Sequence, residues 1–103
     1  MRKAARTDGN QAAIVDALRK AGASVQILAA VGKGCPDLLC GLFTQVHDDV
    51  VWRENVLLEV KDPTKPKADQ KLTTDQEEWH RNWKGQVAVV YTPEDALRVC
   101  GLL

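Results

Sequence analysis

Two short segments of this chain carry residues whose types and spacing could do chemistry. They are Gly34-Cys35-Pro36-Asp37, a proline-punctuated turn ending in a carboxylate, and Leu57-Leu58-Glu59-Val60-Lys61, an apolar run ending in a Glu-x-Lys pair. Side chains alternate along a strand, so Glu59 and Lys61 point to the same side. Two carboxylates, Asp37 and Glu59, with one ammonium beside them make a plausible seat for a divalent cation such as Mg²⁺ or Mn²⁺. Such an ion takes one or two protein carboxylates and fills its shell with water and substrate phosphate oxygens. The backbone carbonyl of Val60 offers a third oxygen, and Lys61 is placed to hydrogen-bond an attacking water or a phosphate. The chemistry of that set is phosphodiester hydrolysis, which needs charge neutralisation on the phosphate and a hydroxide-like nucleophile near neutral pH.

Either segment alone has a structural explanation. Asp after Pro is a common turn residue, and Glu-x-Lys on a strand is often a solvated face. Their combination, with 21 residues between Asp37 and Glu59 and apolar runs leading into both, favours a site.

The elements that must position these residues follow from the pattern. At 103 residues the chain, 1–103, reads as a single domain, with 1–7 frayed. Asp8 with Gln11 resembles a capping box, and Ile14, Ala17, Leu18 and Ala21 recur at helical spacing before Gly22. Ser24 to Ala30 is β-prone, and Asp37 to Thr44 reads as a second strand. Gln45 to Asn55 is ambiguous, with His47-Asp48-Asp49 as a turn. Val56 to Lys61 is the clearest strand, and Asp62 to Leu72, with Pro63 and Pro66, reads as a loop. Thr73 with Gln76, or Thr74 with Glu77, caps the next helix, which Gly85 ends. Gln86 to Tyr91 is a strand. Thr92-Pro93 opens the last helix, whose buried side is Ala96, Leu97, Val99 and Cys100. The expected fold class is α/β: a central mixed β-sheet flanked by helices, in the order α-β-β-β-α-β-α.

Composition narrows the rest. Fourteen basic and fourteen acidic residues cancel, so the strongly basic footprint of many nucleic-acid binders is missing. The basic residues nonetheless cluster: Lys33, Lys65, Lys67 and Lys71 flank the proposed site in sequence and could contact DNA phosphates without reading bases. Three cysteines without CxxC spacing argue against a disulfide framework and a zinc site. Cys40 and Cys100 read as small buried hydrophobes in a reducing compartment. No apolar run approaches a membrane span and no secretory h-region follows the N-terminus, so the expected location is cytoplasmic, with no membrane partner. Trp79 and Trp83 read as core or dimer-interface residues, and His80, which could reach the site from its helix face, reads first as a surface or packing residue.

Gly34-x-Pro36-Asp37, then Leu58-Glu59-Val60-Lys61, then Gln76 on the following helix, resembles the PD-(D/E)XK nuclease superfamily. Within it, the chain is similar to the stand-alone virus-type replication-repair nuclease (VRR-NUC) domain over nearly its whole length. The resemblance implies a restriction-endonuclease-like fold. It implies catalytic roles for Asp37, Glu59, Lys61 and Gln76, and Mg²⁺ held by Asp37 and Glu59. Many members carry a glutamate in the first helix; this sequence places Asn10 there, an amide that could hold a metal-bound water. The resemblance also implies a homodimer acting on four-way or branched DNA, like a Holliday-junction resolvase. The alternatives are a nicking or restriction-like nuclease on other DNA, or a catalytically degenerate binding module of the same fold.

Overall fold

The computed structural model describes residues 9–45 and 48–103 of the chain, without the side chain of Gln45. Asp8, the N-terminal basic residues and His47 lie outside the described residues, and with them the Asp8 capping box. The elements run α1 (Gln11–Lys20), β1 (Ser24–Ile27), β2 (Leu38–Gln45), β3 (Val51–Val60), α2 (Lys67–Gln70), α3 (Thr74–Asn82), β4 (Val87–Val90) and α4 (Pro93–Val99). The four strands form one mixed sheet in the order β1-β2-β3-β4. β1, β2 and β3 are antiparallel neighbours, and β4, reached through α3, pairs parallel to β3. The protein is therefore α/β, a mixed sheet flanked by helices.

Three elements depart from the sequence expectation. β3 starts at Val51, because the long antiparallel pairing with β2 carries Val51 to Asn55 into the ladder despite their lack of a clean polar–apolar alternation. The segment between β3 and α3 contains one helical turn, α2, with Pro66 at its N-cap. Proline there has no N–H to leave unsatisfied, so it opens the turn rather than preventing it. Finally, Val99 is exposed while Ala96 and Cys100 are buried, so α4 presents a narrower apolar stripe than its sequence offers.

The main core lies on one face of the sheet. Ile14, Val15 and Leu18 of α1 and Ala96 of α4, with Cys100 just beyond it, pack against Leu38, Cys40 and Leu42 of β2, Val56, Leu58 and Val60 of β3, and Val90 of β4. Strand alternation sends Leu57, Glu59 and Lys61 to the opposite face. That face is also buried: Glu59 is 2% and Lys61 7% exposed. Two charged residues so deep in a chain of this size demand partners.

The β2–β3 register aligns Leu38 with Leu58. Asp37, one residue before that pair, and Glu59, one residue after it, thus meet at the same end of the sheet. Val60 N–H donates to Asp37 Oδ2 at 2.7 Å, extending the ladder through a side chain. The loop before Asp37 packs on the start of α3. Gly34 has φ +81° and its α-carbon faces the α3 backbone: an added Cβ would overlap the Asp75 carbonyl and lie 2.9 Å from Gln76 N. Gly32 has a similar φ of +73° but open space around it.

These two glycines separate backbone strain from close approach. Gly32→Ala is expected to cost only the left-handed penalty, ~1–2 kcal/mol. Gly34→Ala adds steric displacement of α3 and is expected to cost at least ~3 kcal/mol in all. Urea unfolding of both variants checks this; equal losses would contradict the packing of the loop on α3.

Candidate active site

The buried charges at the end of β3, Glu59 and Lys61, share one amide partner on α3. Gln76 Oε1 accepts from Lys61 Nζ at 2.8 Å, and Gln76 Nε2 donates to Glu59 Oε2 at 3.3 Å. The same Oε1 accepts from Thr73 N–H at 2.9 Å, while Thr73 Oγ1 accepts from Gln76 N–H at 3.2 Å, a complete capping box. The helix cap and the link to the sheet therefore share one oxygen. A capping glutamine is ordinarily solvent-facing; here the cap fixes the amide where it bridges an ammonium and a carboxylate.

One turn further along α3, His80 Nε2 lies 3.8 Å from Glu59 Oε1 with its side chain 14% exposed. Burial and, after it, the positive charge of Lys61 hold the imidazole below its ordinary pKa, so it is neutral at pH 7. The Glu59 carboxylate thus has two α3 side chains against it, from positions i and i+4 of one helix face. The sequence allows His80 to reach the site from its helix face but does not place it among the site residues. A lone histidine has no ligand spacing, and the only available signal is that it follows Gln76 by four residues.

Asp37 belongs to the same place. Burial raises the Cys35 thiol pKa, and the negative charges of Glu59 and then Asp37 raise it further, so both carboxylates act on one point beside the turn. Two carboxylates are a donor set that suits a hard divalent cation completing its shell with water. Among the described residues, no group of three or more His, Cys, Asp or Glu side chains is placed to hold a metal ion. A cation here would therefore draw on Asp37, Glu59 and non-carboxylate oxygens.

Asn10 stands at the N-cap of α1 but makes no side-chain cap. Its Nδ2 donates to the backbone carbonyls of Tyr91, at 2.7 Å, and Lys61, at 3.1 Å. It ties α1 to the ends of β3 and β4, while its Oδ1 is buried without a hydrogen-bond partner. The first turn of α1 contains no acidic residue. Lys65, Lys67 and Lys71 are exposed on the segment between β3 and α3, and Lys33 is exposed beside Gly34. Neither Trp79 nor Trp83 is fully buried: Trp79 is half-buried, Trp83 is exposed, and the two indoles stack on each other at 4.7 Å.

Compared with known proteins, the chain matches no family profile, no curated protein and no solved structure.

The environment of His80 is directly measurable. In metal-free protein its imidazole is expected to titrate below 6.5, the ordinary histidine value. Lys61→Met removes a cation that opposes protonation, so the midpoint should move up. NMR titration of the imidazole resonances checks both signs. A wild-type midpoint at or above 6.5 would mean that the Glu59 carboxylate outweighs burial and Lys61.

Proposed function

We propose that this protein is a divalent-metal-dependent endonuclease that hydrolyses DNA phosphodiesters, with Asp37, Glu59, Lys61 and Gln76 as its working residues. The observation that carries the reading is the Glu59–Gln76–Lys61 bridge. Burying a carboxylate and an ammonium together is expensive, and well-packed apolar residues of similar size often do as well or better for stability. A network retained at that cost beside a second carboxylate, Asp37, fits a chemical role. The bridge links Glu59, Lys61 and Gln76 in one hydrogen-bonded chain, with Asp37 at the same sheet end.

Each residue has a distinct task in this reading. Asp37 and Glu59 supply hard anionic oxygens, with the Val60 carbonyl available between Glu59 and Lys61. Mg²⁺ or Mn²⁺, when bound, supplies Lewis acidity toward the phosphate and lowers the pKa of a coordinated water. Lys61 holds a positive charge where negative charge builds up on the phosphoryl oxygens, and its ammonium can orient the incoming water. Gln76 keeps Lys61 and Glu59 at fixed separation, so neither must reorganise as substrate arrives. Neutral His80 stands against Glu59 without cancelling its charge.

The target is branched or four-way DNA, and the working unit is a homodimer. Support for this comes from the VRR-NUC-like pattern of the sequence and from the small size of the domain. Two sites related by a two-fold axis could cut two strands symmetrically. The restriction-endonuclease-like fold is part of the same proposal. It agrees with a mixed sheet whose site gathers at one end of β2 and β3. Lys65, Lys67 and Lys71 would contact phosphates and fix register rather than sequence.

A second reading is a non-cutting DNA-binding module of the same fold. It is favoured by Asn10, whose amide nitrogen is engaged by backbone carbonyls where a carboxylate ligand would stand. Cleavage assays with Mg²⁺ or Mn²⁺ on four-way junction, flap, nicked and linear duplex DNA separate the possibilities. Wild type is expected to cut the junction fastest, and Asp37→Ala and Lys61→Ala to lose at least ~10²-fold in rate. Cutting of plain duplex but not junction would overturn the branched-DNA part. Activity undiminished in Asp37→Ala would overturn the site itself.

A further inference from the structure

The stacked Trp79–Trp83 pair lines a cavity of about 510 Å³ together with Lys33, Asp75, Glu78 and Asn82. That volume is in the range of ordinary ligand clefts, roughly 300–1,000 Å³. Both walls of the cavity adjoin the candidate active site in sequence. Lys33 precedes Gly34, which packs on Asp75 and Gln76. Trp79 precedes His80, and their rings meet edge to face at 6.0 Å. α3 thus turns one side, Gln76 and His80, toward Glu59, and the neighbouring side toward this cavity.

The lining specifies the kind of occupant. The indoles stack on each other with planes 19° apart, so their inner faces cover one another and an outer indole face is left as a flat stacking surface rather than a cage around a cation. Trp83 is 46% exposed, which leaves ring surface available. The ring is also held in place: a Cβ at Gly85 would come within 2.9 Å of Trp83 Nε1, so the backbone runs directly against the indole. One cation and two carboxylates surround the platform, which suits one phosphate at most. The acidic acceptors suit a flat ring that carries N–H donors.

We propose that this cavity receives one unstacked, amino-bearing nucleobase of the bound DNA strand, with Lys33 on its phosphate and Asp75, Glu78 or Asn82 on its exocyclic amine. The base must be unpaired, because a paired base offers neither its face nor its Watson–Crick edge. This deepens the nuclease reading and rests on it for the identity of the polymer. It assigns Trp83 and Lys33 as substrate-positioning residues and gives branched DNA that carries unpaired nucleotides, such as a flap, an advantage over continuous duplex.

The test is a binding measurement in EDTA, where no cleavage occurs. In a Trp52→Phe background, Trp79 and Trp83 are the two remaining indoles and report on the cavity. Short oligodeoxyadenylate should quench them saturably. Oligothymidylate should bind more weakly, and an abasic strand of equal length should give little quenching. Trp83→Ala should weaken oligodeoxyadenylate binding by on the order of tenfold, with Trp83→Phe recovering most of it. Circular dichroism verifies that each variant is folded. Equal binding of abasic and adenine strands, unchanged affinity in Trp83→Ala, or no oligonucleotide binding at all would overturn the proposal. Preference for thymine would overturn its amine-recognition part. Metal-dependent cleavage with base-independent binding would sink the cavity assignment alone, whereas base-dependent quenching without any metal-dependent cleavage would sink the nuclease reading and leave the cavity standing.

Discussion

A buried carboxylate and a buried ammonium at the end of one strand need partners at the same time, and one glutamine gives each of them a hydrogen bond. Glu59, near the end of β3, and Lys61, the residue just past it, are almost fully enclosed. An unmatched charge at that depth costs several kcal/mol, so everything that positions Gln76 is under the same constraint. The capping box with Thr73 fixes where the amide points. The absence of a side chain at Gly34 lets the preceding loop close onto the start of α3. That loop leads directly into Asp37, whose carboxylate completes the β3 ladder at Val60. Helix start, turn and strand end are thereby one mechanical unit, and the second carboxylate of the site is delivered by the same closure that buries the first.

The two faces of the sheet divide the labour. Aliphatic residues of β2, β3 and β4 pack under α1 and α4 to form the stable layer. The other face carries the charges under α3, a helix that buries no residue fully. Placing a polar network on a layer separate from the main core lets the core tolerate its cost. Asn10 ties α1 to the sheet, since its amide joins the start of that helix to the ends of β3 and β4.

Much of this was legible in the sequence, and the reasons are physical. Period-two alternation places Glu59 and Lys61 on one side, and the turn chemistry of Gly-x-Pro-Asp puts Asp37 at a strand start; both are local properties. The Thr73–Gln76 box was legible as a cap and, separately, as a candidate site residue. That one oxygen serves both purposes depends on the approach of α3 to β3, which no local pattern encodes. For the same reason, His80 was legible only as a side chain able to reach the site from its helix face. The extent of β3 depended on pairing with β2, as Val51 to Asn55 carry a weak strand signal of their own. The outward stacking of Trp79 and Trp83 ran against the usual expectation that aromatics at helical spacing fill a core. Here the face they occupy lies beside the one that Gln76 and His80 turn toward the sheet.

The central claim is that Asp37 and Glu59 form a seat for a hard divalent cation beside Lys61. Calorimetric titration of Mn²⁺ into the folded protein tests it most directly, with Asp37→Asn as the shape-preserving control. Saturable binding to wild type is expected, lost in Asp37→Asn while the fold is retained. Absence of specific binding to wild type, or equal binding to both proteins, would contradict it.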